Sequence, residues 1–280
     1  MDVLGFARLV LTSLPYEPTS QQVDIIGALA RFCSASTPSD SVFLLNGYAG
    51  TGKTSLCSAL VKALNSVGIG TVLLAPTGRA AKVFSAFSGH PAYTIHRRIY
   101  SVGGNAMSAE RSIRVAENRS VNTVFIVDEA SMIGADTSSG NLLEHLIHYV
   151  YSGVNCRLIL IGDTAQLPPV GCESSPAMSV SVLKQVGLRV TRATLTATVR
   201  QASHSGILYN ATWLRRAMRA DTLPDPRLLA SPFHDVEVVT GDDLEESLSG
   251  VYGNDGVTET IMITPVSYTH LRAHETGAYL

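Results

Sequence analysis

The stretch that decides the fold runs from Val42 to Thr54 and reads V-F-L-L-N-G-Y-A-G-T-G-K-T. Its first four residues are apolar and, together with Asn46, form a run typical of a buried strand, and the residues after Thr54 have a helical pattern. Between them, Gly47 to Thr54 fits the phosphate-binding pattern G-x-x-x-x-G-K-[ST]. A strand, a glycine-rich turn and a helix start aim backbone N–H groups and the positive helix end at one point. We therefore predict that the chain binds a nucleoside triphosphate.

Each residue type in this loop suits phosphate binding for a chemical reason. Glycines let the backbone curve around phosphate oxygens where a Cβ atom would clash. The Lys53 side chain can reach the β- and γ-phosphates, and the Thr54 hydroxyl can ligate Mg²⁺. The alternative is a chance match on a glycine-rich turn, which the flanking strand and helix disfavour. The predicted nucleotide-binding residues of the loop are Gly47, Gly50, Thr51, Gly52, Lys53, Thr54 and Ser55.

Further apolar runs alternate with helical patterns along the chain. Strands are predicted at Val42–Asn46, Thr71–Ala75, Thr123–Val127 and Arg157–Ile161, and helices at Ser55–Ser66, Gly78–Phe87 and Asn141–Tyr151. This alternation, with strands apolar along their whole length, predicts an α/β fold built on a doubly wound parallel sheet. Beyond Leu195 the pattern changes. A helix-like segment at 206–220 and strand-like runs at Val236–Val239 and Thr260–Thr264 predict the start of a second domain.

Composition narrows the possible functions. With 21 basic and 23 acidic residues the net charge is −2, so any contact with nucleic acid must be local. The four cysteines form no C-x-x-C pair, which argues against a metal site or a disulfide framework and favours a reducing, cytoplasmic location. No apolar run approaches the length of a membrane span, so we expect no membrane partner.

Two other predicted strand ends carry polar groups suited to phosphate chemistry. Asp128 and Glu129 follow the strand at 123–127, where the first can hold the Mg²⁺ shell with Thr54 and the second can orient the attacking water. Gln166 lies in the segment Gly162–Val170, G-D-T-A-Q-L-P-P-V, after the strand at 157–161. Its amide could bond the γ-phosphate or its water. The alternative for this segment is a rigid turn with no sensing role.

Taken together, these motifs resemble motifs I, II and III of superfamily 1 helicases, and within them the RecD-like branch. Shorter stretches are similar to other motifs of that family: Thr19–Gln22 to the upstream glutamine motif, Ala75–Ala81 to motif Ia, Thr94–His96 to the motif after it, and Leu195–Gln201 to motif IV. The resemblance covers about residues 15–265 and lacks motifs V and VI. The family's strand-separating hairpin corresponds to a short segment, about 97–121.

The resemblance implies a P-loop NTPase of RecA-like fold that uses ATP and Mg²⁺ to move along single-stranded DNA, 5′ to 3′. It implies that Gln22 reads the adenine edge. Catalytic roles fall to Lys53, Glu129, Gln166 and Arg200, with Arg200 reaching the γ-phosphate from the second domain. The expected DNA contacts are Pro76, Thr77, Arg79 and His96, although His96 could equally be a core histidine.

We expect three regions along the chain. Residues 1–190 form the N-terminal RecA-like ATPase domain, with the insertion at about 97–121, and residues 191–265 form part of a second RecA-like domain. The stretch from Val266 to Thr276 reads V-S-Y-T-H-L-R-A-H-E-T. It resembles an in-frame translation of a transposon-end adapter used in sequencing libraries, so we expect residues 266–280 to be non-native.

Two other functions stay open. One is a P-loop ATPase that acts as a switch without separating strands, in which case single-stranded DNA would not affect hydrolysis. The other is a nucleotide-binding fragment that is inactive without a complete second domain. Neither the pathway, such as DNA repair or recombination, nor the protein partners and oligomeric state follow from the residues.

Overall fold

The structure is a computed structural model that describes residues 2–103, 112–134, 141–197, 205–218, 225, 227–255, 260 and 263. Its helices are α1 Val3–Thr12, α2 Ser20–Phe32, α3 Lys53–Ser66, α4 Gly78–Ser88, α5 Ile95–Ile99, α6 Leu142–Ser152, α7 Val180–Gln185, α8 Gly206–Ala217 and α9 Leu244–Asp255. Its strands are β1 Ser41–Gly47, β2 Gly70–Ala75, β3 Ala92–Thr94, β4 Tyr100–Gly103, β5 Ser112–Val115, β6 Thr123–Val127, β7 Arg157–Gly162 and β8 Arg189–Leu195. Short 3₁₀ turns lie at Ala130–Met132 and Pro176–Met178.

The main sheet has the strand order β3-β2-β6-β7-β1-β8, and every neighbouring pair is parallel. The three central strands β6, β7 and β1 are buried along their whole length. This confirms the predicted α/β class and the four strands predicted from apolar runs. Each of these four strands begins and ends within one residue of its predicted bounds, whereas no apolar run predicts the edge strands β3 and β8.

Helices cover both faces of the sheet, as the period of two in a strand requires. In β1, Phe43 and Leu45 belong to the core beneath α1, α2 and α3. The alternate residues Val42 and Leu44 belong to the core on the opposite face, with side chains of α6 and α7. In open parallel sheets of this kind, ligands bind outside the carboxyl ends of the strands, so the candidate site is sought there.

The predicted insertion contains an antiparallel strand pair. Strands β4 and β5 pair in register, with Tyr100 opposite Val115 and Gly103 opposite Ser112. Their connection, residues 104–111, lies outside the described residues. The described part of the insertion is therefore an antiparallel strand pair at the position where the family resemblance places a strand-separating hairpin.

Contacts divide the chain into two compact units, Met1–Gln201 and Ala202–Leu280. The described part of the second unit contains α8 and α9. The strand predicted at Val236–Val239 is wrong, since these residues have no regular structure. Among the described residues no strand pairs with them, and Val238 is exposed. Of the run predicted at 260–264 only Thr260 and Ile263 are described, and neither lies in a strand; residues 266–280 and Arg200 lie outside the described residues.

Candidate functional site

The phosphate-binding loop connects β1 directly to α3. Gly50 and Gly52 have φ angles of 77° and 84°, in the left-handed region that favours glycine. Gly52 is the N-cap of α3, and no side-chain cap hydrogen bond closes this end of the 14-residue helix. Such a helix start is a ready-made site for phosphate. The strand-loop-helix prediction is confirmed in its geometry.

The Lys53 side chain contacts the backbone of its own loop. Its Nζ donates hydrogen bonds to the carbonyl oxygens of Gly47 and Tyr48. A Cβ atom on Gly47 would lie 2.9 Å from both Cγ and Cδ of Lys53, which explains the glycine at this position. The fully buried Thr51 donates its hydroxyl to the Tyr48 carbonyl at 2.7 Å. Its side chain therefore shapes the loop, whereas Thr54 and Ser55 in the first turn of α3 are partly exposed.

The two acids after β6 differ in their surroundings. Burial raises the pKa of Asp128 to about 6, and the Glu129 carboxylate adds to the rise, while the Glu129 N–H and the Lys53 ammonium oppose it. The Glu129 N–H donates to the Asp128 carboxylate at 2.9 Å. These contacts place the acids of β6 and the lysine of the P-loop within one electrostatic environment.

Glu129 has a φ angle of 54°, in the left-handed region that a residue with a Cβ rarely adopts. It precedes the 3₁₀ turn Ala130–Met132, which begins immediately after it. Such backbone costs ~1–2 kcal/mol and persists where the surrounding structure imposes it, often at active sites. The chain therefore turns sharply at Glu129, directly after the end of β6.

Thr54 and Asp128 have the chemistry of a Mg²⁺ site. Mg²⁺ prefers oxygen donors and is usually held by one or two carboxylates together with water and substrate phosphates. The described residues contain no cluster of three or more His, Cys, Asp or Glu side chains that could cage a metal without a nucleotide. A carboxylate whose ionised form is disfavoured by burial gains from a nearby cation, so the residues fit a Mg²⁺ ion that arrives with the nucleotide.

Gln166 and its turn are tied to both other motifs. The Gln166 Oε1 accepts a hydrogen bond from the Ser131 hydroxyl at 3.1 Å, and its backbone N–H donates to the Asp163 carbonyl at 3.1 Å. On the P-loop side, the Thr164 N–H donates to Oδ1 of the buried Asn46 at 3.1 Å. The ends of β1, β6 and β7 are thus joined by hydrogen bonds into one site.

Gly162, the last residue of β7, allows this close packing. A Cβ atom there would lie 2.8 Å from the sulfur of Met178 and 2.9 Å from the backbone nitrogen of Ser131. The second distance involves backbone and cannot be relieved by a side-chain rotation. The glycine lets the turn after β6 approach the end of β7.

Gln22 is buried, and its amide is fully engaged in this structure. Its Oε1 accepts from the Thr19 N–H at 3.1 Å, completing a capping box at the start of α2. Its Nε2 donates to the Tyr16 hydroxyl at 3.2 Å and to the Thr51 carbonyl at 3.1 Å. Gln22 therefore braces the P-loop, and reading an adenine would require at least one of these bonds to change.

The predicted DNA contacts lie together on the flank of the sheet next to this site. Ala75 at the end of β2 pairs with Thr94 at the end of β3, so the segments that follow the two strands start side by side. Thr77 caps α4 by accepting the Ala80 N–H, and both Thr77 and Arg79 are exposed. Pro76, which precedes Thr77, is partly buried.

His96 is exposed, with its ring 5.6 Å from that of Tyr100. The core-histidine alternative is therefore excluded. Nearby, the guanidinium of Arg97 lies over the Tyr93 ring at 5.8 Å from its centroid. Exposed aromatic and cationic groups of this kind suit a single strand.

Sequence patterns assigned no role to several residues that make hydrogen bonds within the site. They are Tyr16, Gln21, Asn46 and Ser131. The Gln21 Oε1 accepts from the backbone N–H groups of Thr196 and Ala197 at 2.8 and 3.0 Å, directly after β8. Asn46 had a local signal as a polar residue at the end of an apolar strand, and Gln21 and Ser131 lie within or next to the quoted motifs, but no pattern indicated their partners.

The fold and the arrangement at the strand ends define this protein as a P-loop NTPase of RecA-like α/β type. The family model AAA_30, described as an AAA domain, matches residues 28–223, and the chain belongs to that family. It is 35% identical over 127 residues to the ATP-dependent RecD2 DNA helicase of Deinococcus radiodurans, covering 45% of this chain and 16% of that protein. It is also 35% identical over 131 residues to the ATP-dependent DNA helicase dda of Enterobacteria phage T4, covering 45% and 28%.

These relatives confirm the resemblance to the RecD-like branch of superfamily 1 helicases. The chain spans less than a third of the length of either relative. Among solved structures, the Pif1 helicase from Candida albicans matches 85% of this chain and 55% of its own, with 20% identity and a TM-score of 0.48. In the described part of the chain, no helix combines the length and the apolar character needed to cross a membrane.

Proposed function

We propose that this chain carries the ATPase domain of a DNA helicase that couples Mg-ATP hydrolysis to movement along single-stranded DNA. One observation supports this most strongly. The adjacent strands β6, β7 and β1 end in an acid pair, a glutamine turn and a phosphate-binding loop, and hydrogen bonds connect all three. The RecD2 and dda relatives are both ATP-dependent DNA helicases by name.

In this proposal each side chain of the site either neutralises charge on the phosphates or positions the attacking water. Lys53 leaves the carbonyls of its loop and neutralises the β- and γ-phosphates, Glu129 orients and deprotonates the attacking water, and Gln166 contacts the γ-phosphate. Thr54 and Asp128 would hold Mg²⁺, which neutralises charge on the phosphates when it is bound. Arg200 would complete the site as the motif IV arginine. Gln22 would read the adenine edge after releasing one of its present partners.

The strand would bind beside the nucleotide, at Pro76, Thr77, Arg79 and His96. Because β2 is the neighbour of β6, the DNA segments lie one strand away from the acid pair. Loss of the γ-phosphate on hydrolysis can then change the conformation of the DNA-binding segments through the adjacent strand ends. Movement 5′ to 3′ and roles in repair or recombination are proposed from the family resemblance, as are ATPase and second domains at 1–190 and 191–265. A cytoplasmic location is proposed from the four scattered cysteines.

The test is steady-state hydrolysis of Mg-ATP with and without a single-stranded oligonucleotide, alongside ATP binding measured in the Glu129→Gln variant. The proposal expects hydrolysis that rises with single-stranded DNA, and a variant that binds ATP but does not turn it over. Hydrolysis that ignores DNA would favour the ATPase switch. Nucleotide binding without hydrolysis by the wild-type chain would favour an inactive fragment.

A further inference from the structure

The Ser131 hydroxyl connects the acid motif to the glutamine motif. Ser131 lies in the 3₁₀ turn after Glu129 and is only 4% exposed. Its Oγ donates to Oε1 of Gln166 at 3.1 Å and accepts, at a longer 3.5 Å, from the Asp163 N–H. The three groups form a short chain of hydrogen bonds that runs in one direction, from the Asp163 amide through the serine to the glutamine.

This row of hydrogen bonds decides which end of the Gln166 amide can bind a phosphate. An amide side chain presents an acceptor oxygen and a donor nitrogen, and a phosphate oxygen can bind only the donor. With Oε1 engaged by Ser131, the Nε2 group is the half left for a phosphate. The backbone of Gln166 is also held, because its N–H closes a turn onto the Asp163 carbonyl at 3.1 Å. The otherwise exposed glutamine is therefore restrained at both ends.

We propose that Ser131 is a positioning residue for Gln166. By binding Oε1, it turns the amide nitrogen of Gln166 towards the γ-phosphate, so that the pair distinguishes a triphosphate from a diphosphate. The inference rests on the proposed function, since it assigns the part of the site that senses the nucleotide state. It also explains why a small hydroxyl residue stands two positions after Glu129, where the backbone packs tightly against Gly162.

A second serine provides a matched control. Ser175 is 5% exposed, and its hydroxyl donates to the Ala130 and Ile133 carbonyls at 2.9 and 2.7 Å. It therefore stabilises the same 3₁₀ turn as Ser131, with the same chemical group and similar burial. No hydrogen bond joins it to Gln166, so its removal perturbs the turn without removing the restraint on the glutamine.

The experiment measures the dissociation constants of Mg-ADP and of a non-hydrolysable Mg-ATP analogue for the full chain, and takes their ratio. Ser131→Ala should lower the preference for the triphosphate about fivefold, the equivalent of one net hydrogen bond. In a Gln166→Ala background the same substitution should change nothing, because the group that it positions is absent. Ser175→Ala should lower the thermal unfolding temperature and leave the ratio unchanged.

Gln166→Glu keeps the test informative if Ser131→Ala fails to fold. A glutamate retains acceptors for the Ser131 hydroxyl and supplies no N–H donor, so it should lose the triphosphate preference with the turn intact. An unchanged ratio in both Ser131→Ala and Gln166→Glu would overturn this inference alone. Failure of the wild-type chain to bind either nucleotide would overturn the proposed function and the inference together.

Discussion

Replacing Asp128 by asparagine should make the nucleotide-free protein more stable, although it removes a residue of the proposed site. Burial raises the pKa of this carboxyl from its ordinary 3.8 to about 6. Each pKa unit corresponds to ~1.4 kcal/mol, so keeping the carboxylate ionised at about pH 8 costs the folded state ~3 kcal/mol. Asparagine carries no charge and keeps an oxygen that can accept the Glu129 N–H.

The direction in which stability changes with pH follows from the proton bound by Asp128. Between about pH 4 and about pH 6 the folded chain holds this proton more tightly than the unfolded chain, so the contribution of Asp128 to stability falls as pH rises through about 6. The asparagine variant does not lose stability in this way, because its side chain does not titrate. Its advantage should be complete near pH 8 and shrink as the pH is lowered towards 4.

The assay is thermal unfolding in a chelating buffer with no nucleotide. For a unit of about 200 residues, ~3 kcal/mol corresponds to a rise in the midpoint of roughly 6–12 °C. Addition of Mg²⁺ and an ATP analogue should then stabilise the wild type more than the variant, because only the wild type offers the cation a carboxylate. An asparagine variant that unfolds at a lower temperature than the wild type near pH 8 would refute the reasoning.

Three further substitutions test separate parts of the site. Lys53→Ala should reduce hydrolysis of Mg-ATP to background, since it removes the cation that neutralises the β- and γ-phosphates. DNA-stimulated turnover in this variant would contradict the assignment of the loop. Glu129→Gln should bind ATP with near wild-type affinity while single-turnover hydrolysis collapses, and wild-type rates would exclude Glu129 as the base. Gly162→Ala should lower stability by ~1–3 kcal/mol in denaturant unfolding, because its Cβ would lie 2.9 Å from the Ser131 nitrogen, whereas Gly250→Ala has open space and should not destabilise.

Local pattern was enough to predict the P-loop and the four inner strands of the sheet, but not its edge strands β3 and β8. The strands β1, β6 and β7 are buried on both faces, so each reads as an uninterrupted apolar run with a turn at its end. The loop from Gly47 to Thr54 is contiguous, and its backbone conformation follows from its own glycines. The same reasoning failed at Val236–Val239, because an apolar run becomes a strand only when a neighbouring strand can pair with it.

The connections within the site could not be predicted in this way. Ser131 and Gln166 are 35 positions apart, and Gln21 is 175 positions from its partner Thr196. Such contacts depend on how the strand ends are placed by the whole sheet. The left-handed backbone of Glu129 likewise results from the packing around it and has no signal in the local sequence.

The most direct test of the central claim is a linkage measurement on the full chain. The affinity for a fluorescent single-stranded oligonucleotide is measured with no nucleotide, with Mg-ADP and with a non-hydrolysable Mg-ATP analogue, in wild type and in Lys53→Ala. Coupling between the two sites predicts that the affinity for the strand differs several-fold between nucleotide states in the wild type and not in the variant. Equal strand affinity in all three states of the wild type would contradict the account.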